Sequence, residues 1–349
     1  MILSVVGARP QFIKAAIVSR ALAAAGIPEQ IIHTGQHYDD AMSGQFLREL
    51  SIDNVIANLQ CGSGSHATQT AQMMTALESV MLKYAATTRA ALVYGDTNSS
   101  IAAALVASKL IIPVIHVEAG LRSFNRAMPE EVNRVVVDHL SDLLFCSSRN
   151  GVEQLAREGI AKPTIDVGDV MLDAFRTFMP QARTSVRPAL VDGSPFGLVT
   201  IHRPSNTDDP ERLRAILDAL ASWGERCVWP VHPRLNERMS AIKPPGNVVL
   251  VEPLSYFEML ASLDACQLVI TDSGGLQKEA YWARKSCITV RDETEWVETL
   301  EHGWNQLWDP QQEPLAAVVV RQPAANWRPL YGDGQAGRRI AEAVGEHFA

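Results

Sequence analysis

The sequence predicts an α/β fold with two Rossmann-like, doubly wound parallel-sheet domains that face a crevice. Short apolar runs alternate with helix-length segments along the whole chain, and this alternation is typical of βαβ units. The chain has 349 residues, of which 47% are hydrophobic, so it can bury the cores of about two domains. Three prolines lie among polar residues between Phe178 and Pro195, where we expect the crossing between the domains.

The predicted domains span residues 1–172 and 173–334. In the first domain, runs of aliphatic residues that end at polar or glycine-containing turns predict strands. We place these strands near Ile2–Val6, Gln30–His33, Ala91–Tyr94, Val114–Val117, Leu143–Cys146 and Thr164–Val167. The helices between them are expected to begin near Gln11, Asp40, Gly64, Ser99, Pro129 and Arg149.

The second domain repeats the same alternation of strands and helices. Its strands are predicted near Gly197–Ile201, Cys227–Val231, Val248–Val251, Leu268–Thr271 and Ser286–Val290. Residues 335–349 carry apolar side chains at helical spacing, at Ile340, Ala341, Val344 and Phe348. We expect this segment to form a closing helix that packs back on the first domain.

Composition narrows the kind of protein. A formal net charge of −8 with scattered basic residues argues against a nucleic-acid-binding protein, which would carry a basic stripe or arm. The apolar start lacks the basic region of a signal peptide, and the apolar stretch Ile101–Val117 is broken by Lys109 and Pro113, so we expect no membrane insertion and a cytoplasmic location. Five cysteines without a C-x-x-C pair favour reduced, buried thiols over disulfides or a zinc site.

Charged side chains follow the predicted strands of the first domain, where parallel sheets bind their ligands. The turn Gly7–Pro10 directs Arg9 and Lys14 toward an anion, although Arg9 could simply pair with a neighbouring acid. Asp96 and Glu118 end two further strands, which predicts two carboxylates at one rim. The alternative for Asp96 is that it, or the threonine after it, caps the next helix.

Two more acids, Glu130 and Glu131, follow Pro129. Proline and acidic residues are both favoured in the first turn of a helix. At least one of the two acids is therefore expected to serve the helix, which leaves the other for chemistry.

In the second domain, a strand ends at His202, a residue suited to a phosphate contact or to acid–base work. A second strand runs into the small-residue turn of Thr271–Glu279 and then into a helix, which predicts a phosphate cradle. Glu279 could reach ribose hydroxyls. Because Ser273 is not part of a G-x-S-x-G elbow, we expect it to donate to phosphate rather than to act as a nucleophile.

Other catalytic signatures are missing from the sequence. It has no G-x-x-x-x-G-K-[ST], no G-x-G-x-x-G after a strand and no H-E-x-x-H. P-loop hydrolysis, standard dinucleotide redox chemistry and zincin chemistry therefore lose support.

Seven segments together resemble the non-hydrolysing UDP-N-acetylglucosamine 2-epimerases. They are Gly7–Lys14, Thr34–His37, Tyr94–Ser99, His116–Arg122, Met128–Arg134, Val199–Arg203 and Thr271–Glu279. The resemblance implies the GT-B type of two-domain fold, a homodimer, UDP bound mostly by the second domain, and no cofactor or metal.

The resemblance also implies a mechanism, in which elimination of UDP gives an enzyme-bound 2-acetamidoglucal and UDP returns after inversion at C2. The C2 proton of an aminosugar is not acidic, so its loss must be coupled to a stabilised leaving group. The residues that match the family's acid–base and diphosphate positions are Asp96, Glu118, Glu130 and His202. Those that match its nucleotide-binding positions are Arg9, Lys14, Ser273, Gly274, Gly275 and Glu279.

Some positions depart from the members that act on UDP-N-acetylglucosamine. Trp296 replaces an arginine, and Leu254 and Met259 replace a glutamine and a phenylalanine near the uracil. The segments Gly7–Lys14 and Asp292–Glu298 are similar to a branch that acts on UDP-2,3-diacetamido-2,3-dideoxyglucuronic acid, a precursor of bacterial surface polysaccharides such as O-antigen. The C6 carboxylate of that sugar would need a cationic partner, for which the candidates are Arg122, Arg126 and Arg203.

Three other classes of protein would share some of these sequence features. A GT-B glycosyltransferase would share the UDP-binding half, and a hydrolysing epimerase would release UDP and free sugar. A silent UDP-sugar-binding protein would keep the phosphate turn but lose the carboxylates. The presence of the rim carboxylates together with the phosphate turn favours the non-hydrolysing epimerase.

Overall fold

In a computed structural model, the chain forms two compact units, Met1–Ala174 with Tyr331–Ala349, and Phe175–Leu330. The structure describes residues 1–36, 40–62, 64–185, 193–231, 235, 242–319 and 327–348. Each unit contains a parallel sheet with helices between its strands. The predicted α/β class with two doubly wound sheets is confirmed.

In the first unit, the described residues form a seven-stranded sheet in the order β3-β2-β1-β4-β5-β6-β7. The strands are β1 Ile2–Val6, β2 Glu29–His33, β3 Val55–Asn58, β4 Ala90–Tyr94, β5 Val114–Ala119, β6 Leu143–Cys146 and β7 Thr164–Asp166. The strand order reverses between β1 and β4, which is the topological switch point where such sheets bind ligands. Both strands are buried along their whole length, as expected for the centre of a parallel sheet.

The helices of this unit are α1 Arg9–Ala24, α2 Asp40–Glu49, α3 His66–Tyr84, α4 Asn98–Lys109, α5 Pro129–Leu140 and α6 Arg149–Arg157, joined later by α13 Ala336–Phe348. Helix α7, Val170–Ser185, continues from the first unit into the second. Helix α13 packs on α1 so closely that a Cβ atom at Gly337 would lie 2.9 Å from the Ile17 side chain. The main-chain N–H of Gly337 also donates to Asp173 over 2.8 Å.

The second unit holds a six-stranded sheet among its described residues, in the order β10-β9-β8-β11-β12-β13. The strands are β8 Gly197–Thr200, β9 Cys227–Pro230, β10 Val248–Val251, β11 Leu268–Thr271, β12 Ser286–Thr289 and β13 Asn305–Leu307. The helices are α8 Pro204–Thr207, α9 Pro210–Trp223, α10 Tyr256–Ala265, α11 Gly274–Trp282 and α12 Leu315–Val319. Trp229 and Trp308 are the largest side chains of its buried core.

The structure differs from the sequence-based prediction in three elements. Strands β3 and β13 were not predicted, because both lie at a sheet edge and carry polar or half-exposed residues instead of an apolar run. The predicted crossing at Phe178–Pro195 was wrong over its first part, which is helical to Ser185 despite Pro180. Burial of Phe178, Met179 and Ala182 offsets the hydrogen bond that proline removes from a helix. Residues 186–192 lie outside the described residues.

The five cysteines are free and buried, as predicted. Burial raises the pKa of Cys227, Cys266 and Cys287 to about 12, so almost none of these thiols is ionised at pH 8. We expect the native protein to react slowly with a thiol-specific chromogenic disulfide at pH 8, and the denaturant-unfolded protein to expose all five thiols at once. Rapid reaction of two or more thiols in the native protein would contradict this burial.

Among the described helices, none has the length and hydropathy needed to cross a bilayer. The described residues also include no cluster of three or more His, Cys, Asp or Glu placed to hold a metal ion.

Candidate active site

Glu118 lies on a β-bulge at the end of β5. The register with β6 shifts between Val117 and Ala119, and Glu118 has a φ of 75°. A non-glycine residue in this left-handed region costs about 1–3 kcal/mol and is concentrated at functional sites. The bulge directs the Glu118 carboxylate to Lys14 on α1, with which it forms an ion pair. The two side chains are only 13% and 8% exposed, so the pair is largely shielded from solvent.

The turn after β4 brings a second carboxylate to the same part of the unit. Gly95 has a φ of +58°, and a Cβ atom there would lie 3.2 Å from the Glu118 carboxylate. Glycine is therefore needed for this close approach. The next residue, Asp96, forms an ion pair with Arg134 of α5. The cap of α4 is Thr97, whose hydroxyl accepts from the N–H of Ser100, so Asp96 is not the capping residue.

The two acids at the start of α5 have different surroundings. Glu131 is buried and accepts from the N–H groups of Ser123 and Phe124, over 2.9 and 3.0 Å. It also pairs with Arg134 over 3.2 Å. Glu130 is exposed in the first turn. Glu131 therefore holds the preceding loop, and Glu130 is the acid left accessible.

At the start of α1, Gln11 has a role that the sequence did not reveal. Its side-chain oxygen accepts from the N–H groups of Gly7 and Ala8, over 2.7 and 3.0 Å. Its amide nitrogen donates to the carbonyl of Tyr94 over 2.7 Å. Gln11 thus fixes the first turn of the helix that carries Lys14 against the end of β4. Arg9 lies with its guanidinium 4.6 Å from the centre of the Phe46 ring.

Arg122 was predicted as a substrate-binding residue, and in the structure its guanidinium pairs with two carboxylates. Its side chain is 2% exposed and pairs with Asp138 over 2.7 Å and with Glu158 over 2.6 Å. A guanidinium with two buried or half-buried carboxylate partners has little capacity left for a third. The sequence could not show this, because Asp138 and Glu158 carry no motif that marks them as its partners.

In the second unit, Asp272 organises the end of β8. Its side chain is fully buried and accepts from the N–H groups of His202 and Arg203, over 3.0 and 2.9 Å. It also accepts from the side-chain amide of Asn206 over 3.0 Å. The His202 ring lies 3.2 Å from the same carboxylate and is 43% exposed. The ring of His202 is therefore both oriented and accessible.

The predicted phosphate cradle is the start of α11. Ser273 occupies the N-cap position without a side-chain capping bond, and Gly275 is exposed with open space beside it. The first N–H groups of a helix bind anions well. The predicted ribose ligand Glu279 lies further along α11 and is 6% exposed.

The segment after β12 closes around this helix start. A Cβ atom at Gly274 would lie 2.8 Å from the Glu295 carboxylate and 3.2 Å from the Trp296 indole nitrogen. Glu295 pairs with Arg291 over 2.9 Å. Burial opposes its ionisation, but Arg291 and then Arg203 outweigh burial and lower the pKa of Glu295.

Trp296 also contacts α11 directly. The Lys278 ammonium lies 3.5 Å from the centre of a Trp296 ring, within the range of a cation–π interaction. Trp296 is 4% exposed, so the tryptophan that distinguishes this sequence is part of the packed wall of the cradle.

The first unit thus presents carboxylates at strand ends, and the second presents a helix start of the kind that binds anions. A sequence profile described as UDP-N-acetylglucosamine 2-epimerase matches residues 20–345. The chain belongs to this family. It is accordingly an isomerase of the UDP-sugar 2-epimerase kind.

Individual relatives agree with this membership. The chain is 43% identical to the UDP-2,3-diacetamido-2,3-dideoxy-D-glucuronate 2-epimerase of Pseudomonas aeruginosa, with 98% of both chains covered. It is 37% identical to the crystal structure of Methanocaldococcus jannaschii UDP-GlcNAc 2-epimerase in complex with UDP-GlcNAc and UDP, with a TM-score of 0.91 and coverage of 99% of this chain and 100% of that chain. The Neisseria meningitidis UDP-GlcNAc 2-epimerase bound to UDP-GlcNAc gives a TM-score of 0.87 at 27% identity, with 99% of both chains covered.

Proposed function

We propose that this protein is a non-hydrolysing epimerase that inverts C2 of UDP-2,3-diacetamido-2,3-dideoxy-D-glucuronate. The reaction rests on the adjacent Lys14–Glu118 and Arg134–Asp96 ion pairs of the first unit. The choice of sugar rests on the full-length identity of 43% with the Pseudomonas aeruginosa enzyme of that name. UDP-N-acetylglucosamine, the sugar bound by the Methanocaldococcus relative, is the competing substrate.

In the proposed reaction, a carboxylate takes the proton from C2 while the C1–O bond breaks and UDP departs with the electron pair. A C1=C2 double bond forms, giving the 2-acetamido glycal of the sugar with its C3 and C6 substituents unchanged. UDP then adds back to C1, and a proton is delivered to the opposite face of C2. The Glu118 carboxylate is held in place by its ion pair with the ammonium of Lys14, as a positioned base requires. Glu118, Asp96 and Glu130 are the proposed acid–base groups.

We assign UDP binding to the second unit. The N–H groups at the start of α11 and the oriented ring of His202 supply donors for two phosphates. Such donors stabilise the negative charge that develops on the departing diphosphate. Because Arg122 is already paired, we assign the C6 carboxylate of the sugar to Arg203 and keep Arg126 as the alternative.

Proton NMR in D2O tests the reaction and the sugar together. The enzyme is incubated with UDP-2,3-diacetamido-2,3-dideoxy-D-glucuronate in one tube and with UDP-N-acetylglucosamine in another, and the C2 signal and free UDP are followed. We expect each UDP-sugar to gain deuterium at C2 and to be converted reversibly to its C2 epimer. Both changes should be faster in the first tube. Net release of UDP and free sugar would identify a hydrolysing epimerase. If no deuterium entered C2 in either tube, the proposal would be rejected in favour of a glycosyltransferase.

The helix start offers a separate prediction for UDP binding. Gly274→Ala places a methyl group against Glu295 and Trp296, so we expect UDP affinity measured by calorimetry to fall at least about tenfold, or 1.4 kcal/mol. Gly246→Ala is the matched control, because that glycine of the same unit has open space around it. Equal affinity in the two variants would remove α11 from the proposed UDP site.

We further propose that the enzyme works in the cytoplasm as a homodimer and supplies sugars for a bacterial surface polysaccharide such as O-antigen. The supporting observation is the kinship with UDP-sugar 2-epimerases across the whole chain. Light scattering after size-exclusion chromatography measures the assembly directly. A mass near 38.2 kDa at micromolar concentration would rule out the dimer, whereas about twice that mass is expected.

A further inference from the structure

His116 is a fully buried histidine beneath the two carboxylate-bearing turns of the first unit. It lies on β5, two residues before Glu118, and its relative exposure is 0%. Its Nδ1 atom is 2.7 Å from a carboxylate oxygen of Asp138 on α5. Its Nε2 atom is 3.0 Å from the carbonyl oxygen of Gly95, the residue before Asp96.

Both partners of the ring are acceptors. A main-chain carbonyl oxygen only accepts, so Nε2 must carry a proton. The Asp138 carboxylate also accepts from the N–H of Gly120 over 3.2 Å and pairs with Arg122 over 2.7 Å. These contacts fix the carboxylate that faces Nδ1 of the ring.

Arg122 holds the other side of Asp138 and also pairs with Glu158 over 2.6 Å. The His116 ring, the Arg122 guanidinium and the N–H of Gly120 therefore meet at one buried carboxylate.

We propose that His116 is a positioning residue, which holds the Asp96 turn and the Glu118 bulge in register through Gly95 and Asp138. The ring fixes the carbonyl of Gly95 on one side. Asp138 fixes Gly120, two residues after Glu118, on the other. The inference rests on the proposed function, because the residues it positions are the proposed acid–base groups. A misplacement of about 1 Å at such groups can cost on the order of 10²-fold in rate.

The first part of the test reads the hydrogen bonds of the ring without substrate. The protein has nine histidines, so we label it with 15N-histidine and assign the His116 ring nitrogens by their loss in His116→Gln. We expect both ring nitrogens of the wild type to show the signals of hydrogen-bonded groups, and the Nδ1 signal to shift in Asp138→Asn. Signals of a ring without these hydrogen bonds in the wild type would overturn the proposal.

The second part measures turnover. We expect His116→Gln to lower kcat by about 10²-fold. KM and UDP affinity should change little, because His116 lies in the first unit and UDP binding is assigned to the second. His139→Gln is the matched control, because His139 is an exposed histidine of α5 that bonds the carbonyl of Val135. Unchanged kcat, or a loss confined to KM, would overturn the positioning role. Inactive wild-type protein would instead count against the proposed function, and the ring-nitrogen spectrum would still decide whether His116 bonds Gly95 and Asp138.

Discussion

Replacing Glu118 by glutamine is expected to lower kcat by about 10³-fold, within the range that positioned acid–base groups contribute. Glutamine preserves the shape of the side chain and the left-handed backbone of the bulge, but it cannot accept the C2 proton. The loss should appear equally in the rate of deuterium entry at C2. UDP affinity should stay unchanged, because the nucleotide is assigned to the other unit.

The control for this substitution is Glu153→Gln. Glu153 lies on α6 of the same unit and its side chain is 46% exposed, in surface pairs with Arg149 and Arg157. Surface pairs of this kind contribute little, so the control should turn over like the wild type. Substantial C2 exchange by Glu118→Gln would show that another group is the base and would return Asp96 and Glu130 to first consideration.

Replacing Arg122 by methionine is expected to destabilise the first unit by about 3–5 kcal/mol, the usual cost of removing one partner from a buried ion pair. Methionine fills a similar volume but leaves Asp138 and Glu158 without the guanidinium. Urea denaturation followed by circular dichroism measures the effect, with each unit allowed its own transition. This outcome would separate a structural role from the substrate contact that the sequence suggested.

Arg338→Met provides the comparison for that measurement. Arg338 lies on α13 of the same unit and makes an exposed pair with Glu342, at 58% and 54% exposure. Its loss should leave the denaturation midpoint nearly unchanged. If Arg122→Met were as stable as this control and raised KM for the sugar, the substrate role of Arg122 would be restored.

The central strands could be predicted from sequence because their apolar runs are uninterrupted. Ile2–Val6 and Leu143–Cys146 have the bounds that their residues indicated. The strands Val55–Asn58 and Asn305–Leu307 were not predicted, because they are only four and three residues long and most of their residues are half-exposed or exposed. Pro180 suggested a break in the chain, but the segment is helical, because tertiary burial of its neighbours overrides a local helix breaker.

The candidate site also has a part that the sequence predicted and a part that it did not. The sequence indicated which acids follow strands, so Asp96 and Glu118 were predicted from order along the chain. Their partners Lys14 and Arg134 come from helices whose packing is set by the fold. The bulge at Glu118 leaves no signature in a single sequence, because its backbone angle depends on the register with β6.

The return of α13 to the first unit has a consequence for how the protein folds. The first unit is assembled from two segments, which flank the continuous stretch Phe175–Leu330 of the second unit. The second unit can therefore fold from one continuous length of chain during synthesis, whereas α1 packs fully only after α13 has followed and Gly337 has reached Ile17. A stop codon that removes only residues 336–349 would leave the second unit complete and the first unit without the helix that covers α1.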